Sequence, residues 1–194
     1  MSDTFSLDPA LERDSVLVGH SNAGQVRLHR DARWPWLLLI PERPGLRELH
    51  ELEETARAQL WAVSAAISEA LLREGPEDGK LNVGVLGNRV AQLHLHHVLR
   101  WPGDPTWPDP VWGQAGALAY EAPERAAALW RNRLGALLRL GRYPRGHGAA
   151  HPRAAQTEVA IGNLREVLLM VGLGVVERRR PANLRSDGPE ARGP

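Results

Sequence analysis

The chain has 194 residues, 43% of them apolar, and a formal net charge of +1. This length is enough for one folded domain with a core, and the small charge gives no reason to expect specific nucleic-acid binding. The absence of cysteine excludes disulfides, thiolate nucleophiles and cysteine zinc sites. The N-terminal residues lack the features of a signal peptide, and the longest apolar run, Val167 to Val176, is too short to cross a bilayer. A soluble cytoplasmic protein without membrane partners is therefore expected.

The regular elements are predicted from hydrophobic periodicity, beginning with a hairpin. The segments DSVLVGH and QVRLHRD, within residues 14–31, alternate around a Ser-Asn-Ala-Gly turn, which is typical of two paired strands. The apolar run WPWLLLIP, residues 34–41, predicts a well-buried third strand. Further along the chain, periodicity predicts an amphipathic helix over 51–74, strands over 80–86 and 90–100, and a helix over 122–140.

This order of elements predicts an α+β fold for a domain over residues 1–140. Short turns between neighbouring strands favour an antiparallel sheet, with a long helix packed on one face. The stretch WPGDPTWPDPVWG, residues 101–113, is too rich in proline for regular structure, and its tryptophans are expected to cover an edge of the core. Residues 141–194 are rich in Gly, Pro and Arg and predict a basic, poorly ordered tail, with a helix near 158–177.

The segment QLHLHH, which begins at Gln92, places three histidines within four positions. On a strand, successive side chains point to opposite faces. Gln92, His94 and His96 are therefore expected on one face, and His97 on the core face. Three alternatives remain open for His94 and His96: an exposed polar surface, a His-x-His metal site, or an imidazole nucleophile that attacks phosphorus.

The same region resembles a known family. The segment NVGVLGNRVAQLHLHHVLR, residues 82–100, is similar to the signature of the histidine triad (HIT) superfamily of nucleotide hydrolases and transferases. In that signature an Asn and a Gly-Gln-type turn precede three alternating histidines. WLLLIPERPGLRELHELEE, residues 36–54, resembles the family's central strand, its Ile-Pro end and the start of its long helix. The resemblance covers residues 14–113 and implies the same α+β fold.

Gly87-Asn88 and Arg100 set the register of this resemblance. Gln92 then occupies the first triad position, His94 the second and His96 the third. The resemblance implies that these three are the catalytic residues, with His94 as nucleophile and His96 binding the phosphate or leaving group. Gln92 replaces a histidine, and a carboxamide can hydrogen-bond but cannot titrate.

Other site residues are implied only by the resemblance. His97 stands where the family usually has an apolar residue, so a partly buried packing position is expected. Trp36 falls where many members have a histidine. No metal or other cofactor is implied. The resemblance assigns substrate binding to Asn82, Gly87, Asn88, Arg89, His29 and Asp31.

Two functions follow from the resemblance. The first is a nucleotide phosphohydrolase or nucleotidyl transferase that acts through a nucleotidyl-histidine intermediate, on substrates such as dinucleoside polyphosphates or amino-substituted AMP. The alternative is a degenerate HIT domain that binds a nucleotide or a partner without efficient turnover, and Gln92 and Trp36 favour it. A homodimer is also expected, because HIT proteins often form one.

Overall fold

A computed structural model of the chain describes residues 4–139. The predicted tail over 141–194, with its helix near 158–177, lies outside the described residues. Within the described part, the strands are β1 Ser15–Ser21, β2 Gly24–His29, β3 Trp36–Ile40, β4 Lys80–Val85 and β5 Leu95–Arg100. The helices are α1 Pro9–Arg13, α2 Glu54–Glu74, α3 Pro123–Arg133 and α4 Gly135–Arg139, with a 3-10 turn at Leu49–Glu51.

The five strands form one sheet in the order β1-β2-β3-β5-β4, and every neighbouring pair is antiparallel. After β3 the chain passes through α2 to the edge strand β4, then returns so that β5 lies between β3 and β4. All five residues of β3 are buried, which explains why its sequence is apolar at every position. The predicted α+β class is confirmed.

The two faces of the sheet are covered differently. On one, here called the helix face, α2 and α3 contribute core residues such as Ile67 and Trp130. The other, here called the loop face, carries a smaller cluster of apolar side chains. That cluster is covered by α1, by the N-terminal residues before it, and by the Pro- and Trp-rich stretch 101–113. Its buried members are Leu11, Trp34, Trp36, Leu38, Ile40, Val98 and Val111.

The β1–β2 hairpin confirms the turn predicted from sequence. Gly24 has a φ of 139°, a conformation that favours glycine, and a Cβ at this position would collide with the carbonyl of Ile40. The turn therefore packs directly against the end of β3, and a side chain at residue 24 would separate the two.

Several boundaries differ from the prediction. The last strand begins at Leu95 rather than at residue 90, because the Leu93 N–H bonds to the carbonyl of Leu46 instead of joining the sheet. The helix predicted over 122–140 is broken at Leu134 into α3 and α4. Helix α1 was missed, although Asp8 caps its first turn and proline follows at its first position.

No helix among residues 4–139 combines the length and the apolar character that crossing a membrane would need. The expected cytoplasmic location stays a prediction.

Candidate functional site

The register of β5 separates the neighbouring histidines onto opposite faces. His96 pairs with Leu38 and Gly84 and lies on the loop face. His97 lies on the helix face, where its Nε2 is 2.7 Å from the Ser64 hydroxyl of α2. The alternation predicted for His96 and His97 is confirmed, whereas Gln92 and His94 precede the strand, and His97 is completely buried rather than partly buried.

His94 lies just before β5, and a main-chain carbonyl selects one tautomer of its ring. Its Nδ1 is 2.7 Å from the carbonyl oxygen of Gln92. Since a carbonyl only accepts hydrogen bonds, Nδ1 must carry the proton and donate it. The neutral ring then has its lone pair on Nε2, and an imidazole nucleophile needs a free lone pair of this kind.

His96 has the opposite arrangement. The indole Nε1–H of Trp36 donates to Nδ1 of His96 at 3.0 Å. An indole only donates, so Nδ1 of His96 carries the lone pair and its proton lies on Nε2. Burial, together with the neighbouring imidazoles, lowers the pKa of His96 to about 3, which keeps the ring neutral at pH 7. His96 can therefore donate a hydrogen bond from Nε2 without being charged.

The two rings lie close together. Their centroids are 4.8 Å apart, with an angle of 73° between the planes. One residue offers a lone pair on Nε2 and the other offers a proton on Nε2. A nucleophile and a hydrogen-bond donor side by side are suited to displacement at phosphorus, where one group attacks and the other stabilises an oxygen.

The same contacts disfavour the metal-site alternative. A neutral histidine that binds a metal through Nε2 must carry its proton on Nδ1. At His96 that proton would point at the Trp36 N–H, and two donors would face each other. Within residues 4–139 there is also no group of three or more His, Cys, Asp or Glu residues placed to hold a metal ion.

The side chain of Gln92 contacts the N-terminal residues. Its Nε2 donates to the Ser6 carbonyl at 2.8 Å, and its Oε1 accepts from the Asp8 N–H at 3.0 Å. Both ends of the carboxamide are therefore bonded to main chain more than eighty positions away in sequence. This contact could not be inferred from the triad pattern.

His29 and Asp31 occupy different environments. The His29 ring stacks on Trp36, with centroids 4.0 Å apart and planes inclined by 17°. His29 therefore contacts Trp36, which in turn donates to His96. The Asp31 carboxylate instead pairs with Arg33 at 2.7 Å and accepts from the Leu118 N–H. Burial opposes ionisation of Asp31, but the hydrogen bonds from Arg33 hold its pKa below the usual value.

Asn82 lies on β4 and bonds to a buried arginine. Its Oδ1 accepts from Arg100, whose guanidinium also pairs with Asp104 at 2.6 Å. Asp104 in turn accepts from the Thr106 N–H. The bonds of Asn82 therefore lead into the stretch 101–113 rather than toward His94.

The turn after β4 is exposed. Gly87, Asn88 and Arg89 are all accessible to solvent, and Gly87 lies beside His94. At Gly87 an added Cβ would meet its neighbours only at ordinary contact distances. Gly84 differs, because a Cβ there would lie 2.8 Å from the Leu86 side chain and 3.3 Å from the ring of Trp112. Gly84 therefore makes room for Trp112, which packs edge-on against His96 with ring centroids 5.8 Å apart.

A small cleft opens beside the nucleophile candidate. Sequence reasoning missed Arg47 and Glu48, which lie at this cleft because the Leu93 N–H bonds to the carbonyl of Leu46. No periodicity or motif in the segment between β3 and α2 predicts that contact. The residues that line the cleft are Arg47, Glu48, Val85, Gly87, Gln92, Leu93 and His94.

An antiparallel α+β domain with two alternating histidines, one of which lines a cleft, agrees with the histidine triad class of proteins. The family model for the HIT domain matches residues 10–102. No curated protein matches the chain.

Solved structures agree with the family model. A histidine triad (HIT) protein from Sinorhizobium meliloti 1021 is 40% identical, with a TM-score of 0.63, over 70% of this chain and 98% of that one. A histidine triad protein from Marinobacter aquaeolei VT8 is 38% identical, with a TM-score of 0.63, over 71% of this chain and 98% of that one. One from Bradyrhizobium japonicum is 38% identical, with a TM-score of 0.64, over 70% and 98%. The chain belongs to the HIT family.

Proposed function

We propose that the chain is a nucleotide phosphohydrolase or nucleotidyl transferase that acts through a covalent intermediate on His94. The observation that supports this most strongly is the opposite placement of protons on two adjacent rings. His94 donates from Nδ1 to the Gln92 carbonyl, and His96 accepts at Nδ1 from Trp36. The Nε2 of His94 would then act as the nucleophile, and the Nε2–H of His96 would act as a hydrogen-bond donor.

In the first step, the lone pair on Nε2 of His94 attacks the α-phosphorus of the nucleotide. A P–N bond forms, and the bond from phosphorus to the leaving group breaks, with the electron pair going to the leaving group. The ring becomes positively charged, and the Gln92 carbonyl that accepts from Nδ1 stabilises this charge. The Nε2–H of His96 donates to an oxygen on phosphorus or on the leaving group.

In the second step, water or another acceptor attacks the same phosphorus. The P–N bond breaks and its electron pair returns to Nε2 of His94, while the proton lost by water passes to solvent. Hydrolysis releases a nucleoside monophosphate, and an acceptor other than water makes the reaction a transfer. His94 regains its neutral form with the proton on Nδ1.

Binding of the phosphate is assigned to the residues around the cleft. Gly87, Asn88 and Arg89 would contribute exposed donors from the turn, and Arg47, which also lines the cleft, would contribute a positive charge. Arg47 is exposed and lines the cleft, so its guanidinium could contact an anion bound there. His29 would act through its stacking contact with Trp36.

Asn82 and Asp31 are assigned indirect parts in binding. The Asn82 oxygen already accepts from Arg100, and the Asp31 carboxylate already accepts from Arg33. Each would support substrate binding indirectly, by fixing the position of the loop to which its hydrogen bonds lead. Dinucleoside polyphosphates and amino-substituted AMP are the proposed substrates, since each offers an α-phosphorus with a leaving group.

The test compares wild type with His94→Asn in hydrolysis of diadenosine tetraphosphate and of an AMP phosphoramidate. Turnover should fall by at least about a thousandfold while nucleotide affinity changes little, because only the nucleophile is lost. His20→Asn, at an exposed histidine on β1, is the matched control and should retain activity. Equal turnover by His94→Asn would contradict the nucleophile assignment. Binding without turnover in wild type would favour the degenerate HIT domain.

We also propose that the protein forms a homodimer through the edge strand β4. The other edge strand, β1, is covered, because Arg131 of α3 donates to the carbonyls of Leu17 and Val18. In β4, Val83 and Val85 are 43% and 39% exposed, and within residues 4–139 β5 is the only strand paired with it, so this edge presents apolar side chains and an outer side without a partner strand. A strand of this kind is suited to pairing with a second copy.

A further inference from the structure

The first triad position in this chain bonds to the chain's own N-terminal segment, defined here as residues 5–8. The two hydrogen bonds of Gln92 involve the carbonyl of Ser6 and the N–H of Asp8, two positions apart. This is the pattern by which one strand bonds to the edge of another. It also determines the orientation of the carboxamide, since exchanging its O and N would place donor against donor and acceptor against acceptor.

The N-terminal segment is held by further contacts. Phe5 and Leu7 pack against the apolar cluster of the loop face, which includes Trp36. The Asp8 carboxylate accepts from the Ala10 N–H and so caps α1. The segment is therefore a packed element of the domain on the same face as the candidate nucleophile.

Gln92 connects this segment to His94. Its side chain bonds to the segment, and its carbonyl accepts from Nδ1 of His94. Residue 92 precedes β5, so no pairing with a neighbouring strand holds it. The peptide group between residues 92 and 93 is restrained at both ends. The Leu93 N–H donates to the Leu46 carbonyl, and the Gln92 side chain is bonded to the N-terminal segment.

We propose that Gln92 is a positioning residue that ties the N-terminal segment to the carbonyl that keeps the proton of His94 on Nδ1. In this arrangement Gln92 neither transfers a proton nor needs to touch the substrate. The N-terminal segment becomes part of the machinery that orients the nucleophile. Its effect on turnover rests on the proposed function, whereas its effect on the tautomer of His94 does not.

The first arm of the test measures tautomers in the full chain without substrate. Long-range ¹H–¹⁵N spectra of histidine-labelled protein distinguish a proton on Nδ1 from one on Nε2. Wild type should show His94 protonated on Nδ1 alone. Gln92→Ala and the double variant Phe5→Ala/Leu7→Ala should both show a mixture at His94. His96 is an internal control, because Trp36 holds its proton independently of the N-terminal segment.

The second arm is a double-mutant cycle on kcat/KM. Gln92→Ala and Phe5→Ala/Leu7→Ala should each reduce kcat/KM by about tenfold, as expected when a catalytic group is misplaced. Their combination should be no worse than either alone, because both release the same contact. Gln59→Ala, at an exposed glutamine on α2, is the matched control and should leave kcat/KM unchanged.

Each outcome bears on the proposal in a defined way. A mixture of tautomers at His94 with non-additive losses supports it. An unchanged His94 tautomer in both variants overturns it, and so do additive losses, which would place Gln92 against the substrate. If wild type lacks turnover, the proposed function fails, and the tautomer arm still decides the part played by Gln92.

Discussion

Trp36 and His96, on the paired strands β3 and β5, are joined by a hydrogen bond in which the indole Nε1–H donates to Nδ1 at 3.0 Å. Binding to Nδ1 of His96 in this way needs only a hydrogen-bond donor, and the Trp36 indole provides one. Since an indole cannot accept or lose its proton near pH 7, the tautomer of His96 is determined by a single side chain. Trp36 stands where many HIT proteins have a histidine, and this replacement is compatible with a catalytically active site.

Trp36→Phe tests this relationship directly. The variant keeps an aromatic ring but removes the donor, so the buried Nδ1 of His96 loses its partner. We expect the free energy of unfolding to fall by about 2 kcal/mol and kcat to fall by about tenfold. Urea titration and steady-state kinetics measure the two effects. Trp61→Phe, at an exposed tryptophan on α2, is the control. Wild-type kcat in Trp36→Phe would show that the donor is dispensable.

Stability should fall as the pH is lowered through the range below 6.5. Burial lowers the pKa of His96 to about 3 and of His97 to about 4. In the unfolded chain both titrate near 6.5, so below that pH the unfolded state binds protons that the folded state does not. Each such group reduces the free energy of unfolding by about 1.4 kcal/mol per pH unit until its folded pKa is reached.

His97→Leu isolates one of these groups, because residue 97 lies on the helix face, away from the cleft. Urea unfolding between pH 6.5 and 4.5 should show a mean slope smaller by about 1 kcal/mol per pH unit than in wild type. The comparison concerns the slope, so any loss of packing or of the Ser64 bond does not affect it. An identical slope would mean that His97 is protonated in the folded protein.

Arg47 should contribute to substrate affinity. Arg47→Ala removes a positive charge from the cleft beside His94 and is expected to raise KM for a nucleotide substrate by about tenfold, with little change in kcat. The effect should shrink as salt is added, because an exposed charge is screened. Arg43→Ala, an exposed arginine on a different groove, is the control. A KM equal to that of wild type would remove Arg47 from the binding site.

Dimer formation should depend on the edge of β4. Val83→Lys and Val85→Lys place charges on exposed positions of this edge, and we expect them to give monomers in light scattering at concentrations where wild type is dimeric. Leu72→Lys, at an exposed position on α2, is the comparison for a charge added off the strand. A monomeric wild type would contradict the proposed homodimer, and a dimer that survives both strand variants would place the interface elsewhere.

Much of the fold was predictable from the sequence because the strands either alternate with a period of two or, like β3, are apolar throughout, and α2 has a period near four. That periodicity placed His96 and His97 on opposite faces, and the turn chemistry before Gly24 predicted the first hairpin. Helix α1 was missed although Asp8 and Pro9 are a recognisable helix start. The helix has only five residues and is therefore easy to overlook in the sequence.

The details of the site depend on contacts between residues far apart in sequence. Gln92 bonds to Ser6, and Leu93 bonds to Leu46, so β5 begins later than predicted and Arg47 lies at the cleft. Neither contact can be predicted from hydrophobic periodicity. The resemblance to the HIT signature singled out His94 and His96, and the geometry of their hydrogen bonds assigns a tautomer to each.

The central claim is that Nε2 of His94 attacks phosphorus. The most direct measurement is intact mass spectrometry of wild type after brief incubation with diadenosine tetraphosphate or an amino-AMP analogue, quenched in alkali because a phosphoramidate on histidine is acid-labile. The account predicts an added AMP mass that maps to His94, with AMP released over time and no adduct on His94→Asn. An adduct mapped to another residue, or turnover that persists in His94→Asn, would contradict it.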